Sequence, residues 1–231
     1  MALPYADLVS RHGLTASHWF ILDAVPPGAR VLDVGCASGY LAAALRERGS
    51  ATVGIEPDPA MARAAEQHCE QVLAVPLEEA MTALDGERFG AIVLGDVLEH
   101  LVDPWATLSW AREQLDDGGL AVVSVPNIGH WSARWALLGG SFEYTDYGIF
   151  DRTHLRFFTQ ETAHELARRA GFELAGERYT PAPLPGEAIV RRVLGGSPEH
   201  PRFPLGHARW FLSRTLPRLF ALQFVMTLRP V

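Results

Sequence analysis

The sequence predicts an α/β fold, a doubly wound and mostly parallel sheet with helices on both faces, and three observations predict it. Apolar runs of strand length alternate with helix-length segments from residue 30 to residue 125, the pattern of a parallel sheet covered on both sides. The run Val31-Leu32-Asp33-Val34-Gly35-Cys36-Ala37-Ser38-Gly39-Tyr40 carries a buried strand into a turn of small residues and then into a helix. The next strand ends in Glu56, 23 residues beyond Asp33. That is close to the ~20-residue offset at which an acidic side chain grips ribose hydroxyls in dinucleotide folds.

Taken in order, residues 1–29 read as an N-terminal helical cap. A short helix over 17–24 is closed by Pro26-Pro27-Gly28. Residues 30–125 form the core, with strands at Arg30–Val34, Thr52–Ile55, Gln71–Ala74, Phe89–Leu94 and Gly119–Val125. Helices fill the gaps at Tyr40–Glu47, Pro59–Gln67, Leu77–Ala83 and Pro104–Gln114. Asp103-Pro104 starts the last of these, aspartate as cap and proline in the first turn. Asp116-Asp117-Gly118-Gly119 turns the chain into the fifth strand. Residues 126–231 form a less regular, substrate-side segment. Thr159-Gln160-Glu161 caps a helix over Thr162–Ala170 that Gly171 closes, and Phe172–Tyr179 is a sixth strand. Residues 181–206, rich in proline and glycine, read as a surface excursion, and Leu219–Arg229 as a seventh strand. Residues 1–231 are expected to form a single domain.

Composition excludes several function classes. With 48% apolar and 20% charged residues the chain is ordinary for a globular fold. A net charge of -7 argues against a nucleic-acid binder, which needs a basic footprint. All twenty basic residues are arginine, which removes any mechanism built on a lysine, such as a Schiff base or a P-loop. No run of 18 apolar residues and no signal-peptide pattern is present, so a cytoplasmic, membrane-free protein is expected. Two cysteines, Cys36 and Cys69, are too few for a disulfide framework.

Gly35, Ala37 and Gly39 let the backbone turn sharply and let a ligand approach the main chain. The following helix points unpaired N–H groups at whatever fills the turn. Position 37 is alanine and position 40 tyrosine, so the G-x-G-x-x-G dinucleotide fingerprint is absent. A ribose grip without a pyrophosphate turn suggests an adenosine cofactor that lacks phosphates. The chain resembles the class I S-adenosylmethionine-dependent methyltransferases, whose first motif appears here as VLDVGCASG with Ala37 in place of the middle glycine.

That resemblance implies a Rossmann-like, three-layer fold. Its seven-stranded sheet is mostly parallel, with an antiparallel last strand. It also implies S-adenosyl-L-methionine as cofactor and S-adenosyl-L-homocysteine as product. Asp33 would help hold the amino-acid portion of the cofactor, and Glu56 would bind both ribose hydroxyls; the alternative is that Glu56 caps the Pro57-Asp58-Pro59 turn. Where the family commonly has an acidic residue near adenine, this chain reads Val75-Pro76-Leu77-Glu78-Glu79. Adenine would then rest on Leu77 or meet Glu78, unless the glutamates are simply the acidic first turn of a helix. The expected cofactor contacts are Asp33, Gly35, Cys36, Ala37, Gly39, Tyr40, Glu56, Pro57, Leu77, Glu78, Gly95, Asp96 and Val97.

The fourth strand runs into Gly95-Asp96-Val97-Leu98-Glu99-His100, at the strand end where open α/β sheets bind ligands. This stretch is similar to the ubiquinone-biosynthesis O-methyltransferases. By that resemblance Asp96, Glu99 and His100 are divalent-metal ligand candidates, against the alternative that Glu99 and His100 stabilise the fold; no metal ligand is assigned on the sequence.

Beyond the fifth strand, P-N-x-x-H-W at 126–131 and F-D-R-T-H-L-R-F-F-T at 150–159 resemble a methyltransferase subfamily of sugar, lipid and secondary-metabolite biosynthesis. Histidine can remove a hydroxyl proton near neutral pH, and aromatics give an organic acceptor flat walls. His130 and His154 are the candidate bases, each with a structural alternative. Asn127, Trp131, Arg134, Tyr144, Tyr147, Asp151 and Arg156 are the candidate substrate contacts. Arg134, Arg152 and Arg156 would clamp an anionic acceptor or pair with Glu143 and Asp151. Tyr5, Trp19 and Trp131 are candidate lid residues, Trp19 with core packing as the alternative.

The function expected is methyl transfer to a small-molecule acceptor, foremost a hydroxyl oxygen, by a monomer or homodimer with no nucleic-acid partner. Two other classes stay open. One is a tRNA or protein methyltransferase, weakened by the acidic charge and the absence of an N-P-P-Y-like tetrapeptide after the fourth strand. The other is a non-catalytic or partner-dependent protein, resembling one of bacterial methionine biosynthesis that carries this fold.

Overall fold

The computed structural model describes residues 13–182, 184 and 206–231. Tyr5 and most of the excursion expected over 181–206 lie outside the described residues; of its ends, Pro181 closes the sixth strand and Gly206 opens a helix. Helix α1 (Ala16–Ala24) leads into β1 (Arg30–Val34), α2 (Tyr40–Glu47), β2 (Ala51–Ile55), α3 (Pro59–Ala65), β3 (Gln71–Leu73), α4 (Leu77–Ala83) and β4 (Phe89–Gly95). A 3₁₀ turn (Leu98–His100) and α5 (Pro104–Glu113) precede the long β5 (Leu115–Pro126). Then come α6 (Trp131–Leu138), α7 (Gln160–Arg169), β6 (Phe172–Pro181), α8 (Gly206–Thr215), the short α9 (Pro217–Phe220) and β7 (Ala221–Pro230).

The seven strands form one sheet in the order β3-β2-β1-β4-β5-β7-β6. β7 runs antiparallel to both β5 and β6, and the pairings among β1 to β5 are parallel. The order reverses at β1, which pairs with β2 on one side and β4 on the other. In an open α/β sheet the crevice beyond the strand ends at such a reversal is where ligands bind.

Side-chain alternation along the strands decides what lines that crevice. Leu32 and Val34 of β1, with Ile92 and Leu94 of β4, join the cluster of Leu98, Leu108, Phe158 and Leu166 on one face. Val31, Ala91, Val93 and Val122 join Ile21, Leu22, Leu41 and Leu45 of α1 and α2 on the other. By the same two-residue period Asp33, Gly95 and Ser124 fall on the α1/α2 face at the ends of their strands. Three buried strands therefore deliver a carboxylate, a side-chain-free position and a hydroxyl to one spot.

The caps read from the sequence form: Asp103 accepts from Ala106 N–H (3.0 Å) at α5, and the Thr159 hydroxyl accepts from Thr162 N–H (3.3 Å) at α7. Asp58, read only as part of a turn, caps α3 as well, accepting from Ala60 and Met61 N–H (2.8 and 3.0 Å). Other expectations are corrected. Leu219 and Phe220 close the helical turn α9 instead of opening the last strand. Helix α6 was not expected, because of its residues only Ala133 is buried and no one-sided apolar pattern marks it. Trp19 is 60% exposed, so its core alternative fails.

Gly39 closes the turn before α2 with φ +76°, and a Cβ there would stand 2.9 Å from the Ala65 Cα of α3. Left-handed strain and a backbone overlap both oppose a side chain. We expect Gly39→Ala to lower stability by about 2 kcal/mol, read as a lower urea midpoint at unchanged slope.

Candidate active site

The turn after β1 is held to the end of β2 by backbone and by one carboxylate. Gly35 N–H and Cys36 N–H both donate to Ile55 C=O (2.8 and 3.0 Å), and Gly39 N–H donates to Cys36 C=O (2.9 Å). Gly35 (φ +73°), Ala37 (φ +48°) and Gly39 (φ +76°) all lie in the left-handed region. At Ala37 this conformation costs on the order of 1 kcal/mol or more. Its N–H donates to Glu56 Oε2 (3.0 Å), which helps to offset that strain. Glu56 Oε1 accepts from Asp58 N–H (2.8 Å). Glu56 thus does cap the Pro57-Asp58 turn, as the alternative reading had it, and the same carboxylate ties that turn to the glycine corner. Burial raises its pKa, while the Asp58 and Ala37 N–H groups pull the other way. A Cβ on Gly35 would come 2.9 Å from Val97 Cγ2, so a side chain there would displace Val97 as well as strain the left-handed backbone.

Beneath the corner lies a hollow of ≈ 300 Å³, its open mouth included, lined by His18, Ile21, Asp33, Gly35, Tyr40, Leu41, Gly95, Asp96 and Ser124. Asp33 is buried there, and burial, reinforced by the Glu56 charge, pushes its carboxyl up to about 7. An acid with a raised folded pKa favours the fold in its protonated form, so this stability is present below 3.8 and is lost as pH climbs to about 7. The loss amounts to about 4 kcal/mol. Asp33→Asn removes it, and we expect the stability difference from wild type to shift in favour of the variant by that order between pH 4 and pH 8 in urea titrations.

Asp96 follows β4 with φ +55°, and its geometry is fixed on every side. Its N–H donates to Ser124 Oγ (3.0 Å), Ser124 Oγ–H donates to its Oδ1 (2.8 Å), and Gln223 Nε2 of β7 donates to both carboxylate oxygens (2.9 and 2.8 Å). These bonds correct the ligand triad weighed for a metal: Asp96 is committed to Ser124 and Gln223. The residues that do converge are Glu99, His100 and His154, whose donor atoms lie within 4.8 Å of one another.

In that cluster Glu99 is 1% exposed, and among the described residues neither carboxylate oxygen has a hydrogen-bond partner. Burial pushes its carboxyl well above the usual range, with Asp96 and Asp151 adding to the effect. Its backbone C=O accepts from Leu155 and Arg156 N–H (2.8 and 3.0 Å), which pins the 150s segment over the end of β4. His154 Nδ1 faces Ile149 C=O at 3.2 Å. A carbonyl can only accept, so the proton sits on Nδ1 and the Nε2 lone pair is free. Burial, and the His100 ring at 4.8 Å, hold the His154 pKa below its ordinary value. His100 Nδ1 meets the Thr153 C=O and hydroxyl (3.3 and 3.1 Å).

The other expected residues divide into site and scaffold. Asn127 is 0% exposed, and its amide donates to Ala221 C=O and accepts from Gly129 N–H (both 2.8 Å), so it builds the turn after β5 and has no face for a substrate. His130 caps α6: Nδ1 lies 2.7 Å from Ser132 Oγ and accepts Ser132 N–H, its Nε2 is buried without a partner, and burial pulls its pKa to about 4. Asp151 accepts from Thr153 N–H (2.8 Å) and its hydroxyl (2.6 Å), the turn lock weighed as the alternative for this segment. Arg134 Nε donates to Gly129 C=O (2.6 Å), Arg156 Nη2 to Val102 C=O (2.5 Å), and Arg152 pairs with Asp146 (2.6 Å). The expected pairings with Glu143 and Asp151 are therefore not made. Trp131 packs beside His130, its indole N–H buried without a partner. Tyr144 and Tyr147 are exposed, as are Pro57 and Glu78, while Leu77 is half-buried at the head of α4.

Three polar residues at the site carried no site assignment in the sequence: Ser124 and His18 line the hollow, and Gln223 holds Asp96. Ser124 and Gln223 carry no motif and come together only through the β5–β7 pairing. His18 had a faint signal, the capping box Thr15-x-x-His18, in which its Nδ1 accepts Thr15 N–H (3.0 Å). Its ring packs against Tyr40 at 4.9 Å.

A parallel sheet whose order reverses at β1, closed by an antiparallel β7 and flanked by helices on both faces, is the fold of the class I S-adenosylmethionine-dependent methyltransferases. A family model described as a methyltransferase domain matches residues 9–176, well over half of the chain, and the chain belongs to that family. It is 33% identical over 153 residues to the ubiquinone biosynthesis O-methyltransferase of Cereibacter sphaeroides (strain KD131), a match covering 63% of this chain and 61% of that protein. The same enzyme of Psychrobacter arcticus is 30% identical over 167 residues, 67% of this chain and 64% of that one. The chain thus spans less than two thirds of the length of the curated relatives it matches. Among solved structures, a SAM-dependent methyltransferase from Archaeoglobus fulgidus aligns with TM-score 0.63 at 17% identity, covering 97% of this chain and 98% of that one. One from Geobacter sulfurreducens in complex with S-adenosyl-L-homocysteine aligns with TM-score 0.57 at 16% identity, covering 96% of each. These likenesses carry the fold. Among the described residues no helix is long and apolar enough to cross a membrane.

Proposed function

We propose that the protein transfers a methyl group from S-adenosyl-L-methionine to a hydroxyl oxygen of a small organic acceptor. The observation that carries the reading is the corner itself. Gly35, at φ +73°, brings the main chain against the Val97 side chain, and the Glu56 carboxylate stands at the rim of the corner with one N–H on each oxygen. A carboxylate oxygen accepts more than one hydrogen bond, so both oxygens keep capacity for ribose hydroxyls. Asp96, joined by Asp33 in its ionised form, puts negative charge where a cationic amino-acid tail would lie. His18 and Tyr40 wall the same hollow.

Bound S-adenosyl-L-methionine supplies a methyl group already activated on a sulfonium, so the chain's own task is to seat, align and exclude water. A hydroxyl acceptor also loses a proton as it attacks. We assign that proton to His154 Nε2, which is free and neutral near pH 7, and leave His130 as the cap of α6. The exposed Tyr144 and Tyr147, with Phe142 packed against Tyr144 and Phe150, offer an apolar approach for an aromatic or lipid-like acceptor.

A second reading is favoured by one observation, the unpartnered buried carboxylate of Glu99. With His100 and His154 it forms a donor set that fits a divalent ion, which would lower the pKa of an acceptor hydroxyl. Labelled S-adenosyl-L-methionine with a panel of phenols, hydroxylated sugars and lipid-linked acceptors tests the function. We expect transfer to at least one hydroxyl, and transfer only to tRNA or protein would overturn the reading. Loss of transfer on adding a chelator, restored by a divalent ion, would favour the metal reading.

A further inference from the structure

Gly54 sits in the middle of β2, in register with Asp33 of β1. A Cβ on Gly54 would stand 2.5 Å from Cys36 Sγ and 3.3 Å from Cys69 Sγ. The two sulfurs, from the corner after β1 and from the segment between α3 and β3, therefore converge on the space that the missing side chain leaves. Both thiols are free, Cys36 buried and Cys69 half-buried. Nothing in a nucleoside-binding corner calls for a thiol at position 36, yet a second one has been brought to meet it.

We infer that Cys36 and Cys69 are a redox-sensitive dithiol whose closure to a disulfide distorts the cofactor corner. Cys69 is the less buried partner, and the Cys36 thiol facing it holds its pKa below the ordinary value while its own is raised. Thiolate character and access make Cys69 the attacking group. Its thiolate attacks an oxygen of hydrogen peroxide, giving the sulfenic acid and releasing hydroxide. The Cys36 sulfur then attacks the Cys69 sulfur, an S–S bond forms, and the sulfenic oxygen leaves as water with the thiol proton. A disulfide needs its sulfurs about 2 Å apart, so the two must close in over Gly54. That closure pulls on Cys36, whose N–H donates to Ile55 C=O and whose C=O accepts from Gly39 N–H, two of the bonds that shape the corner.

The test treats the whole protein, dilute enough to suppress intermolecular pairing, with hydrogen peroxide. Thiols are counted by alkylation and intact mass, and S-adenosyl-L-homocysteine affinity is read by calorimetry before and after reduction with dithiothreitol. We expect the wild type to lose both alkylatable thiols and two hydrogens as a monomer. We expect its affinity to fall about tenfold and to return on reduction. Cys69→Ser should keep its Cys36 thiol and its affinity through the same treatment. Thiols that stay alkylatable, oxidation to sulfinic acid without pairing, or a disulfide that leaves affinity unchanged would each overturn the inference. The affinity arm rests on the proposed cofactor site but the thiol count does not. Failure of the reduced protein to bind the nucleoside would sink that functional reading and leave the dithiol to be judged by mass.

Discussion

Glu56→Ala is expected to raise the Kd for S-adenosyl-L-homocysteine by about 100-fold, roughly 3 kcal/mol. On the proposed reading the substitution removes charge-assisted bonds to both ribose hydroxyls. It also removes the acceptor for Ala37 and Asp58 N–H, which leaves Ala37 strained in the left-handed region without its tether. The two effects separate experimentally. Glu56→Gln keeps the side-chain volume and one acceptor oxygen, so one of the two N–H tethers and part of the stability should return, while its amide nitrogen opposes the other N–H. The ribose grip, which uses two charged oxygens, should stay weak by at least tenfold in Kd. A Glu56→Ala protein that melts earlier but binds the nucleoside as tightly as wild type would reduce Glu56 to a turn support.

His154→Asn is expected to lower kcat for a hydroxyl acceptor by 10²- to 10⁴-fold, about the contribution of one positioned general base. The Kd for the cofactor should be unchanged. Asparagine was chosen because its side-chain N–H can still donate to Ile149 C=O, the bond that orients the imidazole. The pH profile supplies a readout that a structural role would not move. The acidic limb of kcat reports the base, and the burial-lowered pKa of His154 puts that limb below 6.5. It should vanish in the variant. A variant with wild-type turnover and an unchanged profile would return the proton acceptor to another group, the Glu99 cluster first.

Much of this was legible in the chain because local chemistry and tertiary outcome agree. Asp58-Pro59, Asp103-Pro104 and Thr159 start helices in any setting, and the apolar runs at Val31, Thr52 and Ile92 have nowhere to lie but inside a sheet. The corner was legible for the same reason: strand, small residues and helix are contiguous in sequence. What stayed hidden depends on partners far away along the chain. Asp96 looked like a ligand until Gln223 and Ser124 took its oxygens. Asn127 looked like a substrate contact until its amide was found bonded to Ala221 across more than ninety residues of sequence. His154 entered the Glu99–His100 cluster only because Glu99 C=O anchors the 150s segment. Helix α6 was missed because it buries almost nothing, which leaves no periodicity to read.

The central claim is that the corner of Gly35, Ala37 and Glu56 seats the nucleoside of the methyl donor, with its amino-acid tail in the hollow beside Asp33 and Asp96. Titrating S-adenosyl-L-homocysteine into the reduced wild-type protein by calorimetry tests it most directly. The account predicts saturable heat with one molecule bound per chain, abolished by adenosine competition and weakened by Glu56→Ala. A flat titration with folded protein, or binding indifferent to Glu56, would contradict it.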